Sequence, residues 1–245
     1  MKIVLCGSAG RMGRAILESL SQEEDLTLGA AIDIDEDIKK GVSSGAVVID
    51  FTAPLATLAI LKEAVSQKKP MVIGTTGFVQ EEKKKIIAAS KKIPIVLSPN
   101  MSVGVNVIFK LLADATSALG DAYDAEIAEM HHRLKKDAPS GTALRMGETI
   151  AAARGTTLKK VGRFARNGVI GARPAGEIGI ISLRGGEVVG DHTAIFEGPG
   201  ERIEITHRAH SRQNFARGAL IAARWIVKQK PSLYDMMDVL SLHGR

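Results

Sequence analysis

The first hundred residues predict an α/β fold, because two kinds of segment alternate in them. Short apolar runs such as KIVLC (2–6), AVVIDF (46–51) and PMVIG (70–74) alternate with longer segments such as RMGRAILESL (11–20). Apolar strands separated by helices are typical of a parallel sheet that is covered on both faces. The pattern therefore predicts a doubly wound parallel sheet, in which ligands bind beyond the carboxyl ends of the strands.

The predicted elements of this sheet alternate along the chain. They are strands at 2–6, 26–33, 46–51, 70–74 and 93–98, and helices at 11–20, 54–67 and 79–92. Pro54 supports the start of the second helix, because a proline in the first turn has no N–H group to leave unpaired. The polar stretch DIDEDIKKGVSSG (33–45) is predicted to be a flexible loop.

A glycine-rich turn, GSAGRMG (7–13), follows the first strand and opens the first helix. Its spacing is G-x-x-G-x-x-G, which still leaves bare backbone at the positive end of a helix, where a pyrophosphate binds. Asp33 ends the second strand 33 − 13 = 20 residues after Gly13, where an acid can hold ribose hydroxyls. Glycines also serve plain tight turns, but this context predicts a Rossmann-like dinucleotide site.

Three further loops follow predicted strands. They have the sequences FTAP (51–54), GTTG (74–77) and SPNMS (98–102). Each one alone is also compatible with an ordinary capped turn. Together they occupy the edge of the sheet where a cofactor would lie, and each offers small side chains and backbone N–H groups.

The chain changes character from about residue 103. Helices are predicted at 104–120 and 141–155, a strand at 123–133, and antiparallel hairpins with glycine turns within 176–211. These elements predict a second, α+β domain with an open mixed or antiparallel sheet. The helix predicted at 214–230 returns to the first domain. We therefore expect a dinucleotide-binding domain at 1–101 and 213–245, and a substrate-binding and oligomerisation domain at 102–212.

The polar stretch HHRLKKDAPSGTA (131–143) lies in the second domain. His131 and Lys135 are four residues apart, so they share a face on a helix or a strand. Ser140 is a good N-cap, and Gly141 exposes the N–H groups of a helix N-terminus, which favour a carboxylate. Because histidine can supply a proton near neutral pH, the stretch predicts a site for a small dianion with a proton donor.

Two other interpretations of these residues stay open. Arg133, Lys136 and Asp137 also suit a solvated ion-pair surface. Histidines are common metal ligands, but the sequence has no H-E-x-x-H motif or cysteine cluster, and neighbouring positions rarely bind one metal. His207 and His210 suit solvated strand ends better than a metal pair. We therefore predict no metal site.

Composition limits the partners and the compartment. Of the 245 residues, 45% are hydrophobic and 24% charged, and the net charge of +6 suits an anionic ligand. The cations are mixed with acids and aromatic residues are only 4%, which argues against nucleic acid. One cysteine excludes an intramolecular disulfide and favours a reducing compartment. Since no apolar run has the length of a membrane span or a signal peptide, we expect a cytoplasmic protein without a membrane partner.

Several motifs together resemble one family. HHRLKKDAPSGTA is similar to the signature of the 4-hydroxy-tetrahydrodipicolinate reductases, formerly called dihydrodipicolinate reductases. CGSAGRMGR, VVIDFTAP, VIGTTG, SPNMSVGVN and FARGALIAARW match the family pattern in the same order. The histidine motif is very specific, and the resemblance covers nearly the whole chain.

The resemblance implies an activity and the residues that carry it. Members reduce a cyclic unsaturated dicarboxylate with NADH or NADPH, giving tetrahydrodipicolinate on the route to diaminopimelate and lysine. By resemblance His131 is the proton donor or acceptor and Lys135 is the second catalytic group. The implied substrate contacts are His132, Gly141 and Thr142. The implied cofactor contacts are Gly7, Ser8, Ala9, Gly10, Arg11, Met12, Asp33, Gly74, Thr75, Thr76, Ser98, Pro99, Asn100 and Met101.

One departure from the family pattern concerns the cofactor. Many members have arginine directly after the ribose acid, where it can meet a 2′-phosphate, but here Ile34 follows Asp33. Lys39, Lys40 or Arg11 remain as cations for that phosphate. We therefore expect the use of both cofactors, with NADH at least as effective as NADPH.

The resemblance also implies a homotetramer joined through the open sheets of the second domains. Two other classes of protein stay open. A semialdehyde dehydrogenase acting through a thioester would need Cys6 as nucleophile, although it lies at the end of a strand beside the phosphate turn. A dinucleotide sensor without catalysis would keep the glycine-rich turn but would not need the pair His131 and Lys135.

Overall fold

The computed structural model describes residues 1–243, and the chain divides into two compact units. Unit 1 contains Met1–Val103 and the segment from Arg212 onwards, and unit 2 is Gly104–Ser211. Unit 2 is therefore inserted into the sequence of unit 1.

Unit 1 is built from alternating strands and helices, as the spacing of apolar runs indicates. In chain order they are β1 (Lys2–Cys6), α1 (Arg11–Leu20), β2 (Thr27–Ile32), α2 (Ile38–Ser43), β3 (Val47–Asp50), α3 (Pro54–Ser66), β4 (Met71–Ile73), α4 (Gln80–Ser90) and β5 (Ile95–Leu97). Unit 2 follows with α5 (Val103–Leu119), a 3₁₀ turn at Gly120–Ala122, β6 (Asp124–His131), α6 (Gly141–Ala153), α7 (Leu158–Val161), β7 (Gly162–Arg163), β8 (Ile178–Arg184), β9 (Gly190–Gly198) and β10 (Glu201–Ala209). Unit 1 then resumes with α8 (Gln213–Ile226), β11 (Leu233–Tyr234) and α9 (Met236–Val239).

The sheet of unit 1 has six parallel strands in the order β11-β5-β4-β3-β1-β2. The strand order reverses at β1, because β2 lies on one side of it and β3 on the other. This switch point places the turns after β1 and β3 side by side, which is where an open α/β sheet binds its ligand. The predicted Rossmann-like fold class is confirmed.

Two apolar cores cover the two faces of this sheet, because successive strand side chains point to opposite faces. Ile3, Leu5 and Ile49 pack with residues of α1, α8 and α9. Val4 and Val48 pack against α2, α3 and α4 on the other face. The strands therefore read as continuous apolar runs in the sequence.

The segment after β2 corrects one prediction. Residues 38–43 form the short helix α2, so Lys39 and Lys40 stand on a helix and not on a flexible loop. The Asp37 side chain caps this helix by accepting a hydrogen bond from the Lys40 N–H at 3.0 Å. A Cβ on Gly41 would lie 2.4 Å from Ile32 Cδ1, so α2 packs directly on β2. Six residues are too few for a helical period to be visible in the sequence.

The sheet of unit 2 is mixed, with the order β10-β9-β6-β8-β7. β9 pairs antiparallel with β6 and β10, whereas β8 is parallel to β6. The predicted hairpin across Gly185 and Gly186 is therefore wrong, because β8 and β9 flank β6 and do not pair. Ile108, Ile127 and Ile150 belong to the core between this sheet and helices α5 and α6.

Helix α5 corrects the expectation about membrane spans. The helical stretch Val103–Ala122 is long and apolar enough, by length and composition, to cross a membrane. Its buried residues Ile108, Leu112 and Thr116 recur every four positions, which is the spacing of a helix that packs one face on a sheet. The Lys110 ammonium pairs with the Asp114 carboxylate one turn later.

Candidate active site

The glycine-rich turn of unit 1 depends on two glycines. Gly7 has a φ of +82°, a left-handed conformation that glycine adopts without strain. A Cβ on Gly13 would lie 2.2 Å from the Gly7 carbonyl oxygen. Gly10 caps α1 without a side-chain hydrogen bond. The turn thus presents bare backbone at the N-terminus of a ten-residue helix, a cradle that suits a pyrophosphate.

The predicted ribose acid lies directly against this turn. The Asp33 carboxylate accepts a hydrogen bond from the Ser8 hydroxyl and another from the Ala9 N–H, at 3.1 Å. Ile34, the next residue, is 90% exposed. The structure therefore brings Ser8, Ala9 and Asp33 together, and it leaves position 34 open to a longer side chain.

A buried carboxylate that the sequence reasoning missed joins the next two loops. Asp50, the last residue of β3, is fully buried and accepts hydrogen bonds from the hydroxyls of Thr52 at 2.6 Å, Thr75 at 3.0 Å, and Thr57. The Thr52 N–H also donates to the Thr75 hydroxyl at 2.9 Å. Burial raises the pKa of Asp50, and the threonine hydrogen bonds offset only part of that rise. A carboxylate ending an otherwise apolar strand was the signal for this cluster.

The remaining predicted cofactor residues differ in position. A Cβ on Gly74 would lie 2.2 Å from the Phe51 ring, so a larger residue at position 74 would clash with that ring. Thr76 and Pro99 are exposed, like Arg11, whereas Met12 is half-buried against the core. The Ser98 hydroxyl donates to the Asn100 carbonyl at 2.8 Å. Met101 is 2% exposed and packs in the core, so its side chain does not face a ligand.

In unit 2, the histidine motif spans the end of β6 and the start of α6. His131 is the last residue of β6 and is buried. The Lys135 N–H donates to the His132 carbonyl at 3.1 Å, so a turn follows the strand. His131 and Lys135 therefore do not share a face of one helix or strand, and that prediction is wrong. Lys135 nevertheless lies close enough for its charge to lower the pKa of His131.

The start of α6 has the geometry expected for a carboxylate receptor. Ser140 is the N-cap, and its hydroxyl accepts from the Ala143 N–H at 3.2 Å. A Cβ on Gly141 would meet no atom within 4 Å, so the space before the first turn is open. Thr142 follows in that turn and is half-buried. The Lys135 ammonium lies 2.9 Å from the Asp137 carboxylate.

Glu129, Arg184 and His192 complete this cluster, and the sequence reasoning missed all three. The buried Glu129 carboxylate pairs with the Arg184 guanidinium at 2.9 and 3.0 Å and contacts His131 Nδ1 at 2.5 Å. The Ser140 hydroxyl lies 3.1 Å from His192 Nε2. Glu129 precedes His131 by two residues, which is the strand spacing that places side chains on one face.

Cys6 does not have the properties of a nucleophile. Its side chain is fully buried in unit 1, and burial together with nearby carboxylates, Asp50 first, raises the pKa of its thiol. The reactive form of cysteine is the thiolate, which this environment disfavours. Thioester chemistry at Cys6 is therefore incompatible with the structure.

The parallel sheet of unit 1, with Asp33 against its glycine-rich turn, is typical of the dinucleotide-binding oxidoreductases, and the family matches agree with that class. Residues 1–101 match the family description "Dihydrodipicolinate reductase, N-terminus", and residues 104–240 match "Dihydrodipicolinate reductase, C-terminus". The chain belongs to the dihydrodipicolinate reductase family.

Relatives and solved structures agree with this assignment. The 4-hydroxy-tetrahydrodipicolinate reductase of Geotalea uraniireducens (strain Rf4) is 48% identical over 99% of both chains. That of Syntrophus aciditrophicus (strain SB) is 47% identical over 100% of both. The dipicolinate-bound dihydrodipicolinate reductase from Paenisporosarcina sp. TG-14 has a TM-score of 0.77 at 22% identity, over 97% of this chain and 98% of that one. The last comparison shows the shared fold.

Proposed function

We propose that this protein is a 4-hydroxy-tetrahydrodipicolinate reductase. It reduces a cyclic unsaturated dicarboxylate to tetrahydrodipicolinate on the route to diaminopimelate and lysine. The observation that carries this proposal is the cluster of His131, Lys135 and the α6 N-terminus within unit 2. A proton donor, a cation and the N-terminus of a helix match the needs of a substrate that has two carboxylates and gains a proton.

NADH or NADPH, when bound, would supply the hydride. The residues of this chain bind the cofactor, hold the substrate and deliver the proton. The turn at 7–13 holds the pyrophosphate, and Asp33 accepts hydrogen bonds from the ribose. Lys135, His132 and the N–H groups of Gly141 and Thr142 hold the substrate carboxylates. His131 delivers the proton that accompanies the hydride.

The test is an assay of the purified protein. NADH oxidation should require the cyclic dicarboxylate and should not occur with aldehyde substrates. A protein that binds NADH but never oxidises it would instead be a dinucleotide sensor. Turnover of another substrate alone would place it among other small-molecule dehydrogenases.

The assembly and location form part of the same proposal. One face of the unit 2 sheet packs on α5 and α6, and on the opposite face Ile181 is 59% exposed and Leu183 49% exposed. An apolar strand surface of this kind suits burial between subunits, which supports a homotetramer joined through this sheet. A cytoplasmic location and the absence of membrane and nucleic-acid partners remain predictions from the sequence.

The carboxylate receptor at α6 gives a prediction. Pyridine-2,6-dicarboxylate, a flat substrate analogue, should inhibit competitively, and Gly141→Pro should weaken it at least about tenfold. Proline removes one N–H that can donate to a carboxylate, a charge-assisted bond worth roughly 1.5–3 kcal/mol. Proline fits the first turn of a helix, and Ser140 already has the extended ψ of 154° that a following proline requires.

The matched control is Gly141→Ala, which fills the same open space but keeps the N–H. It should retain most of the affinity for the analogue, measured as a competitive inhibition constant. Equal inhibition of the proline variant and the wild type would mean that this turn is not the receptor.

The surroundings of Asp33 predict the cofactor preference. Steady-state kinetics should show both cofactors in use, with kcat/KM for NADH at least equal to that for NADPH. The Asp33 carboxylate repels a 2′-phosphate, and exposed Ile34 offers no cation against it. Ile34→Arg should move the ratio towards NADPH, whereas Asp33→Ala should weaken NADH more than NADPH.

Salt provides the control for this prediction. Lys39 and Lys40 stand exposed on α2, so any help they give to NADPH should fade at high ionic strength. A wild-type preference for NADPH above about tenfold, roughly 1.4 kcal/mol, would contradict the assignment.

A further inference from the structure

Glu129 is a charged side chain in an unusual place. It is 1% exposed on the core-facing side of β6, two residues before His131. A buried carboxylate is costly unless every oxygen has a partner. The hydrogen-bond partners of its two oxygens therefore indicate its role.

Three residues make four contacts with the two oxygens of this carboxylate. Arg184 donates to both oxygens, the Ser140 N–H donates to Oε1 at 3.2 Å, and His131 Nδ1 lies 2.5 Å from Oε2. Burial alone would raise the pKa of Glu129, but the hydrogen bonds of Arg184, Ser182 and His131 outweigh it and lower the pKa to about 2. Glu129 is therefore a carboxylate at every working pH.

An ionised carboxylate at Nδ1 determines which nitrogen of His131 can exchange a proton. A carboxylate only accepts hydrogen bonds, so Nδ1 carries a hydrogen in both the neutral and the charged ring. The neutral ring then has a bare Nε2, and protonation occurs there. This pairing also fixes the orientation of the ring.

We propose that Glu129 is the positioning residue for His131: it keeps a proton on Nδ1, makes Nε2 the atom that delivers the proton to the substrate, and fixes the start of α6 through Ser140. This inference rests on the proposed function. In the step itself, the Nε2–H bond breaks, its electron pair stays on nitrogen, and the proton joins the substrate as the hydride arrives. The product ring is the neutral Nδ1–H form, which remains hydrogen-bonded to Glu129.

The other groups around His131 act against the charged ring. Burial lowers the pKa of His131, Glu129 opposes this, and the charges of Lys135 and Arg184 lower it further. The His192 ring meets it edge-on with centroids 5.1 Å apart, and burial lowers the pKa of His192 to about 3, so this neighbour is neutral. Glu129 is thus the one group among these that favours imidazolium.

The first experiment measures the tautomer of His131 in the wild-type protein and does not depend on turnover. Nitrogen-15 shifts of the imidazole, with His131 assigned by comparison with His131→Asn, should show the Nδ1–H tautomer above its pKa. An Nε2–H tautomer would overturn the proposal, even if the enzyme turns over the dicarboxylate. A wild type that has the Nδ1–H tautomer but no reductase activity would contradict the proposed function and leave the role of Glu129 standing.

The second experiment uses Glu129→Gln, with Glu126→Gln as the matched control. Glu126 lies on the opposite face of β6, where it pairs with Arg166 and Arg173. Glu129→Gln should lower the pKa of His131, move the kcat/KM profile to lower pH, and reduce kcat/KM near neutral pH at least about tenfold. Glu126→Gln should leave the His131 titration unchanged, and Glu129→Asp should restore part of the shift. An unchanged His131 titration in Glu129→Gln would overturn the proposal.

Discussion

Lys135→Ala is expected to lower kcat/KM by at least about two orders of magnitude, which corresponds to about 2.7 kcal/mol of transition-state stabilisation. The Lys135 side chain is 20% exposed, beside a helix N-terminus and the buried His131. A cation in that position holds a substrate carboxylate more strongly than it would in open water. Cofactor affinity should change little, because this residue belongs to unit 2 and the proposed nucleotide contacts belong to unit 1.

Lys136→Ala is the matched control for this variant. It removes the same charge from the next residue, which is exposed, so its kcat/KM should stay near the wild-type value. The pair of Lys135 with exposed Asp137 is a surface contact, for which a contribution of about 0–1 kcal/mol to stability is typical. Near-normal turnover of Lys135→Ala in a folded protein would remove Lys135 from the site.

Arg184→Met is expected to destabilise unit 2 by about 3 kcal/mol or more, because it leaves the buried Glu129 carboxylate without its main partner. Arg184 also donates to the Asp137 carbonyl at 2.7 Å, so its loss frees the turn that carries Lys135. The measurement is the free energy of unfolding by denaturant. Arg202→Met removes an exposed pair with Glu197 and should change the free energy of unfolding far less than Arg184→Met does.

The pH dependence of the Arg184→Met effect follows from the lowered pKa of Glu129. A carboxyl whose folded pKa is below the ordinary 4.5 contributes stability that is complete above 4.5 and is lost as the pH falls towards 2. The variant loses this contribution, so its deficit should be largest near neutral pH and should shrink in acid. A deficit independent of pH would show that lost packing, and not the charge, is responsible.

Short-range patterns predicted most of unit 1 and less of unit 2. The apolar strands and the glycine-rich turn can be read locally, because each depends on residues adjacent in sequence. The position of β8 could not be read in this way, since alternation shows that a strand exists but not which strand it pairs with. The Gly185–Gly186 turn suggested a hairpin, whereas the chain crosses β6.

The candidate site also has a part that the local sequence predicts and a part that only the fold brings together. The motif at 131–143 was predicted from sequence because its donor, cation and helix start are neighbours. Glu129 was missed although it is two residues away, because a glutamate in an alternating strand is ordinary until its partner is known. That partner, Arg184, is 55 residues further along the chain, and only the fold brings the two together.

The insertion of unit 2 into unit 1 has a consequence for the order in which the protein can be completed during synthesis. Residues 1–103 contain five of the six strands, but Ile3, Leu5 and Ile49 are covered by helices α8 and α9, which follow residue 211. A Cβ on Gly218 of α8 would lie 1.7 Å from the Met101 carbonyl, so this late helix also packs against the loop after β5. In a growing chain, helix α1 alone can cover this apolar face of the sheet until the whole inserted unit has been translated. During that interval the part of the face that α8 and α9 later cover stays open, and the nascent chain needs protection from aggregation.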